Sequence, residues 1–112
     1  RPGFKHSIVQ PCIVGDLKWA KAKYATPYGR LVSHWEREGD DLRVNLVIPP
    51  NTSATVLLPT FGKKGLRITE GTKDIEGTSD GDRVRFEVGA GEYRFTVFGL
   101  GAPPQPDRGI KR

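Results

Sequence analysis

An alternation with a period of two constrains this chain more than any other feature. In Leu42-Arg43-Val44-Asn45-Leu46-Val47-Ile48, the apolar Leu42, Val44, Leu46 and Ile48 share one face of an extended strand, while Arg43 and Asn45 share the other. The same period sets Val84, Phe86 and Val88 against Arg83, Arg85 and Glu87, and Tyr93, Phe95 and Val97 against Arg94 and Thr96. Gly89-Ala90-Gly91 separates these last two runs and predicts a hairpin between them. Further strands are predicted over Lys5–Ile13, Leu17–Ala25, Arg30–Arg37, Ala54–Leu58 and Leu66–Thr69, with turn signals such as Thr26-Pro27-Tyr28-Gly29, Gly39-Asp40-Asp41 and Pro49-Pro50-Asn51 between them. The stretch Phe61–Gly81 admits either one strand and a loop or two poorly marked strands; within it, Gly62-Lys63-Lys64-Gly65 reads as a hairpin-like tip. No window carries a sustained helical stripe. The fold class is all-β, an antiparallel Greek-key or jelly-roll-like β-sandwich of about eight strands.

At 112 residues the chain can bury one modest core. Residues 1–99 are the expected domain, and 100–112, rich in Pro and Gly, the expected flexible tail. Met is absent and residue 1 is Arg, so the chain is expected to be a piece of a longer protein. No apolar run approaches the ~20 residues needed to span a bilayer as a helix. Cys12 stands alone, which excludes an internal disulfide framework and a cysteine-cluster zinc site. His6 and His34 are too few for a histidine-based metal cage. The net charge is +5, but the basic residues mostly alternate with others, as in Arg83-Val84-Arg85. That spacing suits the wet face of a half-buried strand, so neither a nucleic-acid nor a membrane partner is expected.

Hydrolytic chemistry needs a nucleophile with a base, a carboxylate pair or a metal. Glu36 and Glu38 share a strand face at ~6.5–7 Å, near the spacing of an inverting glycosidase pair, yet they run into Gly39-Asp40-Asp41 and read as a solvated edge. Asp80-Gly81-Asp82 reads as a turn rather than a calcium loop. Asn51-Thr52-Ser53 matches a glycosylation sequon and equally a turn after Pro49-Pro50. His34 reads as an ordinary strand residue. Trp19, Trp35, Tyr24 and Tyr28 could stack on sugar rings or fill a sandwich core.

One ordered series is more specific. It runs from Pro2-Gly3-Phe4-Lys5-His6-Ser7-Ile8-Val9-Gln10-Pro11 through Gly15-Asp16-Leu17-Lys18-Trp19-Ala20, Ala25-Thr26-Pro27-Tyr28-Gly29 and Ser33-His34-Trp35. It ends with Ile48-Pro49-Pro50-Asn51-Thr52-Ser53-Ala54-Thr55-Val56 and Phe86-Glu87-Val88-Gly89-Ala90-Gly91. Over about residues 2–98 this series resembles the C-terminal domain of bacterial α-L-rhamnosidases, inverting glycoside hydrolases that remove terminal α-linked L-rhamnose. The resemblance implies a β-sandwich packed against an (α/α)6 barrel of the same parent chain, which carries both catalytic carboxylic acids. The chain alone is then expected to be inactive, with no catalytic residue, no metal and no cofactor of its own. The resemblance also makes His6 a contact to the bound rhamnoside. A neutral imidazole suits that task, since one nitrogen donates and the other accepts. On the residues alone His6 is equally a strand histidine sharing the face of Phe4 and Ile8. A bacterial setting leaves the compartment open, whether periplasmic, secreted or cytoplasmic.

Overall fold

A computed structural model describes residues 5–11, 13, 18–26 and 29–101. Ten strands and no helix occur among the described residues. They are β1 (Lys5–Val9), β2 (Trp19–Thr26), β3 (Gly29–Glu38), β4 (Asp41–Ile48), β5 (Thr52–Pro59), β6 (Ile68–Glu70), β7 (Lys73–Ile75), β8 (Thr78–Asp80), β9 (Arg83–Val88) and β10 (Gly91–Val97). A four-stranded sheet runs β1-β5-β9-β8, and a six-stranded sheet runs β2-β3-β4-β10-β6-β7. The architecture is an all-β sandwich. Predicted positions that fall on Phe4, Cys12, the 14–17 stretch, Pro27-Tyr28 and 102–112 lie outside the described residues.

The alternation builds the core directly. Along β4 every second residue is buried, with Leu42, Val44, Leu46 and Ile48 turned inward and Arg43, Asn45 and Val47 outward. Strand β5 does the same from the other sheet with Ala54, Val56 and Leu58. These inner faces interdigitate with Phe95 and Val97 of β10 and with Leu31 and Trp35 of β3. Removing such apolar area from water is the main drive to fold. Among the described residues, consecutive strands close as short hairpins at β3–β4 through Gly39-Asp40, at β6–β7 through Gly71-Thr72 and at β8–β9 through Gly81-Asp82. Gly39 sits at φ 61°, a left-handed conformation that costs glycine little and a side chain more.

Three expectations need correction. First, β9 and β10 do not form a hairpin. Strand β9 pairs with β5 and β8, while β10 pairs with β4 and β6, so Gly89-Ala90 carries the chain from one sheet to the other. The physical reason is that both strands bury an apolar face, and two such faces satisfy each other across the core rather than side by side. Phe86 and Phe95 meet there as stacked rings with centroids 5.6 Å apart. Second, the sheets are not wholly antiparallel, because β1 lies parallel to β5, from Lys5 opposite Thr52 to Val9 opposite Val56. Third, the Gly62–Gly65 tip joins β5 to β6 in different sheets, and Phe61–Gly81 contributes three short strands, β6 to β8.

Gly77 shows why the β7-to-β8 crossing needs a glycine. A Cβ there would stand 2.6 Å from the Arg85 carbonyl oxygen and 2.8 Å from Phe86 and Val84 side-chain carbons. At the other end of the chain, Leu100 is fully buried, and Lys63 Nζ donates to its carbonyl at 2.8 Å. The Gly101 amide donates to the Asp40 carbonyl at 3.0 Å, and the Arg37 guanidinium donates to the Gly101 carbonyl. The first two residues of the expected tail are thus tied to the sandwich.

Candidate functional site

Strand β1 forms one edge of the four-stranded sheet. Its register turns Ser7 and Val9 toward the inner-face residues Ala54 and Val56, so His6 and Ile8 point outward. The His6 side chain is 41% exposed and Ile8 is 67% exposed. Parallel pairing sets His6 beside Ser53 and Thr55, which share the outer face of β5 two residues apart. The imidazole lies between them, with Nδ1 2.6 Å from Ser53 Oγ and Nε2 2.7 Å from Thr55 Oγ1.

The polar row continues across the sheet. Thr55 stands opposite Glu87 on β9, and its hydroxyl donates to Glu87 Oε1 at 2.8 Å. Glu87 Oε1 is 3.7 Å from His6 Nε2, and Arg85 Nε is 3.8 Å from Glu87 Oε2. His6 was the predicted member of this group; Ser53, Thr55, Arg85 and Glu87 were not singled out. Their outward facing was legible from the period of two, but the pairing of β1 with β5 joins residues 47 apart and leaves no local signal.

Beside this row an apolar cleft opens between the edge strands β1 and β2, lined by Ile8, Val9, Ala20, Ala22, Leu31 and Trp35. Val9, Leu31 and Trp35 are buried along it, and Ile8 is its exposed apolar side chain.

The opposite outer face belongs to the six-stranded sheet. His34 sits there between Lys21 of β2 and Asn45 of β4, on the far side of the sandwich from His6, so the two histidines cannot act together. Trp19 is 59% exposed and meets His34 edge-on, with centroids 6.1 Å apart and planes at 73°. Trp35 is 4% exposed and belongs to the core. Glu36 is exposed, and Glu38 pairs with Arg43 at 2.8 Å across the β3–β4 hairpin, an ordinary surface ion pair. Asp80-Gly81-Asp82 is the β8–β9 turn. Asn51 takes φ 63° in the turn after Pro49-Pro50, where buried Thr52 donates to the Pro49 carbonyl at 2.8 Å. Among the described residues no group of three or more His, Cys, Asp or Glu could hold a metal, and no helix is long and apolar enough to cross a membrane.

Comparison with known proteins converges on one family. The model of the bacterial alpha-L-rhamnosidase C-terminal domain matches residues 1–73. An α-L-rhamnosidase of Streptomyces avermitilis is 32% identical over 97 residues, covering 87% of this chain and 9% of that protein. The solved α-L-rhamnosidase from Dictyoglumus thermophilum superposes with a TM-score of 0.75 at 26% identity, over 80% of this chain and 11% of that one. The Streptomyces avermitilis α-L-rhamnosidase complexed with L-rhamnose gives 0.67 at 28% identity, over 80% of this chain and 8% of that one. The chain therefore spans about a tenth of the length of these enzymes. Fold and sequence agree: this chain belongs to the bacterial α-L-rhamnosidase C-terminal domain family.

Proposed function

We propose that this chain is the accessory sandwich of an inverting α-L-rhamnosidase, capping a helical catalytic barrel of the same parent chain and lending it His6. The parent hydrolyses terminal α-L-rhamnosides by single displacement. A carboxylic acid on the barrel protonates the leaving oxygen while a carboxylate on the opposite face activates water, the two groups ~6.5–9.5 Å apart to admit that water. Neither group is supplied from this chain. The observation that carries the reading is the pairing of a half-exposed imidazole with the exposed Ile8 on one edge strand, next to an apolar cleft. An apolar rim suits burial against a partner, and a wet imidazole at its border suits hydroxyl recognition. In this reading the sandwich unit takes up the expected residues 1–99 and extends to Gly101 through the bonds of Lys63 and Arg37.

The test is made in the full-length enzyme. His6→Ala is expected to lower kcat/KM on an aryl rhamnoside by ~1–3 kcal/mol, about 5- to 150-fold, because a sugar hydroxyl loses its partner inside the pocket. The half-exposed position keeps the fold intact, which thermal unfolding of the variant checks. Wild-type turnover by His6→Ala overturns the contact role.

A second reading rests on Trp19. An indole this exposed, edged by His34 and flanked by Lys18, Glu36 and Arg37, offers a stacking surface with polar neighbours, as in a free-standing carbohydrate-binding module. Isothermal titration of the chain with rhamnose and rhamno-oligosaccharides separates the two. The accessory reading expects no heat, and millimolar or tighter binding that Trp19→Ala abolishes would favour the module.

A further inference from the structure

The polar row on the outer face of the four-stranded sheet has a direction. A carboxylate can only accept, so the single hydroxyl proton of Thr55 is committed to Glu87 Oε1 at 2.8 Å. The Thr55 oxygen can then only accept from the ring, and His6 Nε2, 2.7 Å away, must carry the hydrogen. A neutral imidazole has one N–H, which leaves Nδ1 as acceptor for the Ser53 hydroxyl at 2.6 Å. The two ends of the ring are held unequally. The Nε2 end is reinforced by the charge-assisted Thr55–Glu87 bond and by the lattice of the sheet, since Thr55 and Glu87 are direct register partners. The Nδ1 end meets a neutral hydroxyl.

From this we infer that Thr55 and Glu87 are positioning residues that hold His6 in the Nε2–H tautomer, and that the Ser53 hydroxyl is the bond a sugar hydroxyl replaces. Building on the proposed contact role of His6, the assignment specifies its chemistry. The imidazole accepts at Nδ1, so the rhamnoside must present a hydroxyl that donates there, and a deoxy or O-methyl sugar at that position forfeits the contact. Exchanging one hydroxyl for another at Nδ1 conserves the number of hydrogen bonds and leaves the Nε2–Thr55–Glu87 chain in place.

The experiment is long-range proton–nitrogen correlation on the nitrogen-15-labelled chain with its imidazoles neutral, the two histidine patterns being assigned with His34→Gln. The expected wild-type pattern for His6 is a pyrrole-type Nε2 and a pyridine-type Nδ1. Glu87→Ala releases the Thr55 proton, and Thr55→Val removes the acceptor; each is expected to move both nitrogens toward averaged shifts, with Thr55→Ser restoring the wild-type pattern. Averaged shifts in the wild type, or no change in Glu87→Ala with the amide spectrum otherwise intact, would overturn the positioning role. The contact role fails separately. A locked tautomer together with full turnover by His6→Ala in the full-length enzyme leaves the lock standing and removes the sugar from it.

Discussion

Phe95→Ala is expected to lower the unfolding free energy by ~3–5 kcal/mol, the usual cost of emptying a buried phenylalanine site. Phe95 is 2% exposed on the inner face of β10, opposite Val44 of β4. It stacks on Phe86 from the facing sheet at 5.6 Å and on Tyr93 of its own strand at 6.0 Å. The ring thus packs against both layers of the sandwich. A domain of this size commonly has only ~5–15 kcal/mol in total, so the loss is a large share of it. Urea unfolding checks the result, through a lower midpoint with an unchanged slope. A loss below about 1 kcal/mol would mean that the two sheets do not depend on this stack. Phe86→Ala should cost less. The alternation turns Phe86 inward as expected, but its ring is only partly buried, because on one side β9 is flanked by nothing more than the three-residue edge strand β8.

That contrast marks what the period of two can and cannot tell. It reports which face of a strand is dry, and it does so well for β4 and β5, where each second residue is buried. It does not report the neighbour. Val84-Phe86-Val88 and Tyr93-Phe95-Val97 look alike whether they pair side by side or face each other across a core, and a Gly-Ala-Gly link serves either geometry. The structure takes the second. Between Phe61 and Gly81 the apolar residues are too few to establish a period, and the short strands there are held by pairing, β6 with β10, β7 with β6 and β8 with β9. The candidate site divides in the same way. The expectation for His6 came from a resemblance to a family motif, while Ser53 and Thr55 reach it through the parallel β1–β5 pairing and Glu87 through the antiparallel β5–β9 pairing, which only the folded chain brings about.

The two tryptophans offer the second large test, because each could stack on a sugar or fill the core on sequence grounds alone. Trp35→Ala is expected to cost ~3–5 kcal/mol, and Trp19→Ala to stay within about 0.5 kcal/mol of wild type. Trp35 is 4% exposed on the inner face of β3, opposite Val44 and Ala20, so its removal leaves a cavity in the six-stranded sheet's contribution to the core. Trp19 is 59% exposed on the outer face, where truncation returns little apolar surface to water. The chain has two tryptophans, so each variant leaves one reporter. With Trp35 alone, emission should begin blue and move red on unfolding; with Trp19 alone, it should begin red and move little. Reversed spectra or reversed stabilities would place the inner face of β3 on the outside. The expected order instead removes Trp35 from any sugar-stacking role and leaves Trp19 as the one tryptophan a saccharide could reach.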